Sequence, residues 1–350
     1  MTHMSKDKML AAWETKPSKG LELKEASIPK IKDDEVLIKV KATSICGTDK
    51  HIYNWDDWAQ KRIGKNIPYI FGHEVAGEIA EMGKSVKGLE IGDHVSAETH
   101  ISCGYCFQCR TGNEHICENV KILGVDINGA FAEYFSLPYR NAWKNDKKLP
   151  HWVATAQEPL GNAVHTVFNG EIAGKDVLIF GDGPIGICAI ALCKAAGAES
   201  VLMVGHNDYR LKFAKEFGAD YLINSKNEDS VKAVRSIYTH GADVFLEMSG
   251  NEKALIDGFA CLRAGGRASI LGVFKGSVTI DINKIVFGGF QVNGINGRRM
   301  FDTWYTAASF LRSGKVPLEK LVTHRLKLKD IEKGFELLEK GEGMKIVLEP

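Results

Sequence analysis

The sequence has almost no excess of charge of either sign: 45 Lys and Arg residues stand against 44 Asp and Glu residues, a formal net charge of +1. A chain with so little net charge has no global field that attracts nucleic acid or an anionic membrane. Residues 103–117, where four cysteines lie, carry no basic stripe either. These absences argue against a nucleic-acid-binding zinc module, and no nucleic-acid partner is expected.

A long uninterrupted apolar segment is also missing. The most apolar stretch, residues 177–193, is broken by Gly181, Asp182, Gly183 and Pro184, which a membrane-spanning helix is not expected to contain together. The N-terminal residues include no apolar stretch of signal-peptide length. We therefore expect a cytoplasmic protein without a membrane partner.

The chain has 350 residues, 44% of them hydrophobic, and no internal repeat of fixed period. This length predicts two domains. The first part of the chain consists of short alternating segments, such as residues 36–41 and 75–80, separated by frequent glycines. Such a pattern predicts a mostly antiparallel β domain with long loops.

From Lys175 onward, short apolar strands alternate with helices. This alternation predicts βαβ units and a doubly wound parallel sheet, the Rossmann arrangement. A helix at residues 303–313 and a strand at 345–348 follow the completed sheet, and we expect this tail to return to the first domain. The predicted strands of the sheet are residues 177–180, 201–204, 221–223, 244–247 and 267–271.

The predicted fold class is therefore α/β, with a mostly-β domain and a Rossmann domain. We assign residues 1–160 and 298–350 to the first domain and residues 161–297 to the second.

A glycine-rich turn opens the second half of the chain. Gly181, Gly183 and Gly186 fit the pattern G-x-G-x-x-G directly after an apolar strand and before a helix rich in Ala, Ile and Leu. In this context the first glycine makes a tight turn, the second lets the backbone approach a pyrophosphate, and the third lets helix and strand pack closely. The turn predicts a dinucleotide site, with a ligand-free glycine turn as the alternative.

The next strand ends without the acid that usually contacts the adenosine ribose of NAD. Gly205 and His206 stand there instead, and Arg210 follows. Without the acid, a 2′-phosphate is not repelled, and His206 and Arg210 are near enough in sequence to attract one. Alternatively, Asn207 or Asp208 caps the next helix and Arg210 is solvated. These residues leave both NAD and NADP open.

Four cysteines are spaced C-x2-C-x2-C-x7-C, close enough to form one tetrahedral sulfur shell, and this spacing is typical of structural zinc. An iron–sulfur run usually ends in a short C-x3-C-P, which is absent here. Disulfides remain an alternative, although short-range thiols in a chain without a secretory signal more often bind metal. The cysteines are Cys103, Cys106, Cys109 and Cys117.

A second set of possible ligands is scattered through the first half of the chain. Cys46, His73 and a carboxylate from Glu74 or Glu158 offer a thiolate, an imidazole and an oxygen donor. Three such ligands with one open position are typical of catalytic rather than structural zinc. Each residue alone is more often buried core or surface, so the prediction depends on their joint occurrence.

Together these motifs resemble the zinc-dependent medium-chain alcohol dehydrogenase family, and the similarity runs essentially from end to end. The resemblance implies a GroES-like mostly-β catalytic domain holding two zinc ions per chain, one catalytic and one structural, beside a Rossmann domain. It also implies a homotetramer. The family resemblance is carried by residues 45–49, 51–55, 72–74, 98–101, 157–165 and 297–305.

The resemblance further implies roles for individual residues. Thr48 and His51 match the family's proton relay, Glu158 lies at the catalytic zinc beside Glu74, and His100 matches a histidine near the substrate. Gly205 departs from the pattern, because an acid is usual there, and this puts the preference for NAD in doubt. Other positions that match cofactor contacts are Ile185, Arg210, Leu271, Gly272, Val273, Ile295 and Asn296.

The expected activity is oxidation of a small secondary alcohol with hydride transfer to NAD or NADP. Through the segments at residues 53–58 and 297–305, the resemblance implies L-threonine as the substrate, which would give 2-amino-3-oxobutanoate. Two alternatives stay open: a polyol or 2,3-butanediol dehydrogenase of the same family, and a non-catalytic cofactor-binding protein with a structural role.

Overall fold

The computed structural model describes residues 7–64 and 66–350. Residues 1–6, on which the expectation about the N-terminus partly rests, lie outside this range. The described chain divides into two compact units: one contains the residues up to Glu158 together with Val322–Pro350, and the other contains Pro159–Leu321. Residues 298–321, which the sequence analysis assigned to the first domain, belong to the second unit.

The first unit is mostly antiparallel sheet, as predicted. Strand β3 is central, because it pairs with both β5 and β9, and β1 forms a separate small sheet with β2 and β4. The strands of this part are β1 (Lys8–Glu14), β2 (Glu22–Ser27), β3 (Glu35–Ser44), β4 (Tyr69–Ile70), β5 (Glu74–Met82), β6 (His94–Ala97), β7 (His100–Ile101), β8 (Lys121–Ile122), β9 (Tyr134–Pro138) and β10 (Ala142–Lys144).

Short helices follow several of these strands. Asp56 begins the second helix by accepting the backbone N–H groups of Trp58 and Ala59, which otherwise have no partner in a first helical turn. The helices of this part are α1 (Gly47–Tyr53), α2 (Asp57–Ile63), α3 (Phe107–Arg110) and α4 (His151–Ala154), and α5 (Gln157–Val167) begins at its end and continues into the second unit.

The second unit contains a six-stranded sheet in the order β13-β12-β11-β14-β15-β16, with all neighbours parallel. This order is the doubly wound Rossmann arrangement, so the predicted fold class is confirmed. Its strands are β11 (Asp176–Phe180), β12 (Ser200–Gly205), β13 (Tyr221–Asn224), β14 (Ala242–Glu247), β15 (Leu262–Ile270) and β16 (Gln291–Gly294). Its helices are α6 (Pro184–Ala195), α7 (Asp208–Glu216), α8 (Ser230–Ile237), α9 (Glu252–Cys261), α10 (Ile282–Gly288) and α11 (Asp302–Arg312).

The core strands of this sheet are covered on both faces, which explains their continuous apolar sequences. Leu178, Leu202 and Phe245 are all fully buried. The strand order reverses between β11 and β14, and ligands of such sheets bind beyond the carboxyl ends of the strands at this point.

The chain then returns to the first unit through β17 (Val322–Lys327), α12 (Ile331–Lys340) and β18 (Lys345–Glu349). Strand β18 pairs antiparallel with β3 and parallel with β17. This pairing carries Lys345 to the central strand of the first sheet. Among the helices of the described residues, none has both the length and the apolar character needed to cross a lipid bilayer.

Candidate functional site

Three potential metal ligands converge in the first unit. Cys46 precedes α1 as its N-cap residue, Glu74 is the first residue of β5, and His73 directly precedes Glu74. One ligand atom from each lies within 4.8 Å of the other two. A thiolate, an imidazole and a carboxylate at these separations fit one zinc ion with a further coordination position open.

Asp49, which was not among the residues predicted from the sequence, contacts two of these ligands. Its Oδ2 accepts the backbone N–H of Cys46 at 2.8 Å, and its Oδ1 lies 3.3 Å from Nδ1 of His73. A carboxylate on the outer ring nitrogen fixes the orientation of a metal-binding histidine. Burial lowers the pKa of His73, but the charges of Asp49 and Cys46 outweigh this and raise the pKa well above its usual value.

Glu74 is completely buried and paired with a lysine. Both of its carboxylate oxygens lie 2.6 Å from Nζ of Lys345, and Ser44 Oγ donates a further hydrogen bond to Oε2. Although burial lowers the pKa of Lys345, the charge of Glu74 raises it overall. Lys345 is not predictable from the sequence, since no local pattern connects it with Glu74.

Glu158 is buried on α5 but lies outside the ligand group formed with Cys46 and His73. Its charge acts on both Glu74 and Lys345. The carboxylates of Glu74 and Glu158 and the ammonium group of Lys345 therefore act on one another in the first unit.

The proposed relay residues lie on α1. Thr48 and His51 are three positions apart, so they share one side of the helix. The Oγ1 of Thr48 is 3.9 Å from Sγ of Cys46, and Nδ1 of His51 is 2.5 Å from Oδ2 of Asp56, with 41% of the His51 side chain exposed. Burial raises the pKa of Asp56, but hydrogen bonds from His51 and from backbone N–H groups lower it overall. Asp56 is thus a further functional candidate, recognisable in sequence only as a helix cap.

His100, the predicted substrate residue, is buried at the start of β7. Its Nδ1 lies 3.0 Å from Oε1 of Glu98, and the same carboxylate oxygen accepts the His100 backbone N–H at 2.8 Å. Glu98 therefore fixes both the backbone and the ring of His100.

The four cysteines form a compact sulfur cluster. Three of the Sγ–Sγ distances are 3.4 Å between Cys106 and Cys109, 3.8 Å between Cys106 and Cys117, and 4.0 Å between Cys103 and Cys109. A tetrahedral zinc ion with Zn–S bonds of about 2.3 Å requires Sγ–Sγ separations of about 3.8 Å. All eight cysteines are free, so the disulfide alternative is wrong. Backbone N–H groups, first that of Tyr105, lower the pKa of Cys103 to about 6.

The glycine turn of the second unit has the geometry that the motif predicted. Gly181 has φ of +120°, a conformation that favours glycine, and a Cβ on Gly186 would lie 1.9 Å from the carbonyl oxygen of Gly181. Gly183 caps α6, and no atom lies within 4 Å of the place its Cβ would take. This open space in front of a helix N-terminus fits a pyrophosphate.

The other predicted cofactor residues lie at or after the ends of strands β11, β12, β15 and β16 of the same parallel sheet, so they share its carboxyl edge. Some are accessible, since Val273 is 72% exposed, whereas Ile295 is 8% exposed. The residues at this edge are Ile185, Gly205, His206, Arg210, Leu271, Gly272, Val273, Ile295 and Asn296.

The segment at residues 297–305 is attached to α5 within the second unit. The carbonyl oxygen of Gly297 lies 2.9 Å from Nδ1 of His165, and Nη1 of the buried Arg298 donates to Oδ1 of Asn162 at 3.1 Å. Gly161 leaves room for this arginine, because a Cβ there would lie 2.6 Å from Cδ of Arg298.

Comparisons with known proteins agree with this geometry. The family model Alcohol dehydrogenase GroES-like domain matches residues 32–148, and the model Zinc-binding dehydrogenase matches residues 184–313. L-threonine 3-dehydrogenase of Pyrococcus horikoshii is 52% identical over 344 residues, covering 97% of this chain and 98% of that protein.

Solved structures are similar over nearly the whole chain. A protein of Sinorhizobium meliloti 1021 described as a zinc-binding dehydrogenase, bound to NADP, has a TM-score of 0.90 at 27% identity, with 98% of this chain and 99% of that chain covered. The 2R,3R-butanediol dehydrogenase of Bacillus subtilis has a TM-score of 0.87 at 30% identity, with 98% and 99% covered.

The chain therefore belongs to the zinc-dependent alcohol dehydrogenase family. This membership confirms the predicted class of enzyme, an oxidoreductase that acts on an alcohol with zinc and a nicotinamide dinucleotide. It favours this class of enzyme over the non-catalytic alternative.

Proposed function

We propose that this enzyme oxidises the secondary hydroxyl of L-threonine to give 2-amino-3-oxobutanoate. The observation that carries the proposal is the 52% identity, along 97% of the chain, to a relative named L-threonine 3-dehydrogenase. The convergence of Cys46, His73 and Glu74 supports it, because zinc held by such ligands lowers the pKa of a hydroxyl group toward neutrality.

The chain's own residues then have to remove one proton. We propose that Thr48 takes the proton of the substrate hydroxyl and passes its own to His51. The His51 ring is partly exposed and can release the proton to solvent, while Asp56 holds its Nδ1 side. An imidazole suits this role, since its unperturbed pKa of about 6.5 lies near neutral pH.

The third ligand of the catalytic zinc is proposed to be Glu74, because its carboxylate lies within the ligand group. Glu158 lies close enough for its charge to act on Glu74 and provides the alternative oxygen donor. If Glu74 is the ligand, Glu74→Gln lowers the zinc content more than Glu158→Gln does, and the reverse order assigns the role to Glu158.

Two zinc ions per chain are proposed, one at this site and one in the sulfur cluster. Of the two dinucleotides we propose NAD, supported by the buried carboxylate of Asp182 beside Gly205. The cytoplasmic location stays a prediction.

A second candidate is a 2,3-butanediol or polyol dehydrogenase, favoured by the 30% identity to the butanediol enzyme of Bacillus subtilis. The deciding experiment measures initial rates with L-threonine, 2,3-butanediol and sorbitol, each with NAD and with NADP. The proposal requires the highest kcat/KM for L-threonine. A higher value for either other alcohol would contradict it and assign the enzyme to the second candidate.

A homotetramer is also proposed. Strand β16 ends its sheet, and the neighbouring α10 exposes Ile282, Val286 and Phe287, the last at 85%. Apolar surface of this kind beside an unpaired strand edge supports self-association. Light scattering on the zinc-loaded protein should give the mass of four chains, and Phe287→Glu should lower it. A wild-type mass of one chain would contradict the assembly.

A further inference from the structure

The nucleotide turn contains a buried acid that the dinucleotide motif does not require. Asp182 follows Gly181, and its side chain is only 3% exposed. Its Oδ2 accepts the backbone N–H of His206 at 2.8 Å and that of Asn207 at 2.9 Å, directly after β12. The acid therefore extends from the first strand of the Rossmann sheet to the end of the second.

Asp182 lies where a side chain of residue 205 would begin. A Cβ built on Gly205 would lie 2.7 Å from Oδ2 and 2.8 Å from Cβ of Asp182, and 2.8 Å from Leu211. Sites that prefer NAD place an acid at the end of this strand. In this chain Gly205 lacks a side chain, but a carboxylate from the glycine turn fills the adjoining space.

The same carboxylate faces His206 and Arg210, the two residues that favoured NADP in the sequence. Its Oδ1 is 3.7 Å from Nδ1 of His206 and 3.8 Å from Nη1 of Arg210. A buried negative charge at these distances offsets the attraction that His206 and Arg210 would have for a 2′-phosphate. Because it is little exposed to solvent, it is screened less than a surface charge.

We propose that Asp182 sets the preference for NAD over NADP, replacing from the glycine turn the acid that Gly205 cannot provide. Asp182 acts by repelling the 2′-phosphate and by holding His206 and Arg210, not by reacting. This inference rests on the proposed dehydrogenase function, since it concerns the dinucleotide of that reaction.

The test is binding of NADH and NADPH to the zinc-loaded full chain, followed by nicotinamide fluorescence without any alcohol. Wild-type protein should bind NADH more tightly than NADPH. Asp182→Asn keeps an oxygen that can accept both backbone N–H groups but removes the charge. We expect it to lower the ratio of the NADPH Kd to the NADH Kd about tenfold or more, with little change in Tm.

Moving the acid provides a second test. Gly205→Asp alone should weaken NADH binding, because its Cβ collides with Asp182 and two carboxylates then lie together. Asp182→Gly with Gly205→Asp, which removes the Cβ as well as the carboxylate of residue 182, should restore NADH binding and the preference for it. Glu216→Gln, which removes an exposed charge from the same helix as Arg210, is the control and should leave the ratio within about twofold.

The outcomes distinguish the role of Asp182 from the dehydrogenase function. Tighter binding of NADPH by the wild type, or an unchanged ratio in Asp182→Asn, overturns the role of Asp182 and leaves the dehydrogenase function standing. Failure of the wild type to bind either dinucleotide overturns both.

Discussion

Glu74 and Lys345 form a buried ion pair in which both carboxylate oxygens lie 2.6 Å from the ammonium nitrogen. Glu74 is fully buried and Lys345 is 2% exposed. The pair links the first residue of β5 to the first residue of β18, on opposite sides of β3. The pair therefore connects β18, the last strand of the chain, with Glu74 of the candidate zinc site.

Lys345→Met should strongly destabilise the first unit. Without zinc, removing one partner leaves the Glu74 carboxylate buried without a compensating charge, which typically costs about 3–5 kcal/mol. Chemical unfolding of the zinc-free protein, wild type and variant alike, measures the change. The double variant Lys345→Met with Glu74→Gln should lose less than the sum of the single variants, because both charges are then gone. The exposed Lys333→Met serves as control, and equal losses in Lys333→Met and Lys345→Met would contradict the pair's importance.

Zinc content should separate the two metal sites. Cys46→Ser should lose about one zinc ion per chain and the activity while keeping the fold, since its site has an open position. Cys106→Ser should lose the other ion and lower Tm, because the sulfur cluster has few other contacts to stabilise it. Elemental analysis gives the zinc content, and thermal unfolding gives the Tm. Cys193→Ala, a buried core cysteine on α6, should retain both ions. Full zinc content in Cys46→Ser would remove Cys46 from the site.

His51→Ala should lower kcat about 10²-fold near pH 7, because it removes the group that is proposed to release the proton. Part of the activity should return at higher pH, where solvent accepts the proton more readily. Asp56→Asn should have a smaller effect, since Asn can also cap α2 while the imidazole remains. Values of kcat measured from pH 6 to 9 test whether His51→Ala has a larger effect than Asp56→Asn. His240→Ala, at an exposed position, is the control, and a pH profile of His51→Ala identical to wild type would exclude the relay.

Acid stability should depend on His94. Burial, and next the positive charge of His151, lower the pKa of His94 to about 4, although Glu78 and Asp146 act in the opposite direction. The unfolded chain, with a histidine pKa of about 6.5, therefore binds more protons between these values, so stability is complete above pH 6.5 and falls as the pH drops toward 4. The shift corresponds to at most about 3 kcal/mol.

His94→Phe should remove this pH-dependent part. The Tm difference between the wild type and the variant should shrink, or change sign, from pH 7.5 to pH 4.5. The same substitution at the exposed His240 should leave the pH dependence as it is in the wild type. A wild type and a His94→Phe variant that lose Tm in parallel over this range would refute the assignment.

Local patterns in the chain were enough to predict the metal and nucleotide chemistry. The spacing of Cys103 to Cys117 and the turn at Gly181 are short-range signals, because ligand spacing and tight backbone turns are set by neighbouring residues. The alternation of strands and helices likewise predicted the parallel sheet, since strand burial imposes its pattern directly on the sequence. The exposed edge strand β16 and the helices α8 and α9 were not predicted.

The tertiary structure alone decided which distant residues act together. Asp49 reaches His73, Lys345 reaches Glu74, and Asp182 fills the space beside Gly205, yet no periodicity connects the members of these pairs. Their contacts arise because strand pairing brings together segments that are far apart along the chain, and the burial of charge then requires a partner at that place. A missing acid at one position therefore does not mean a missing charge in the folded protein.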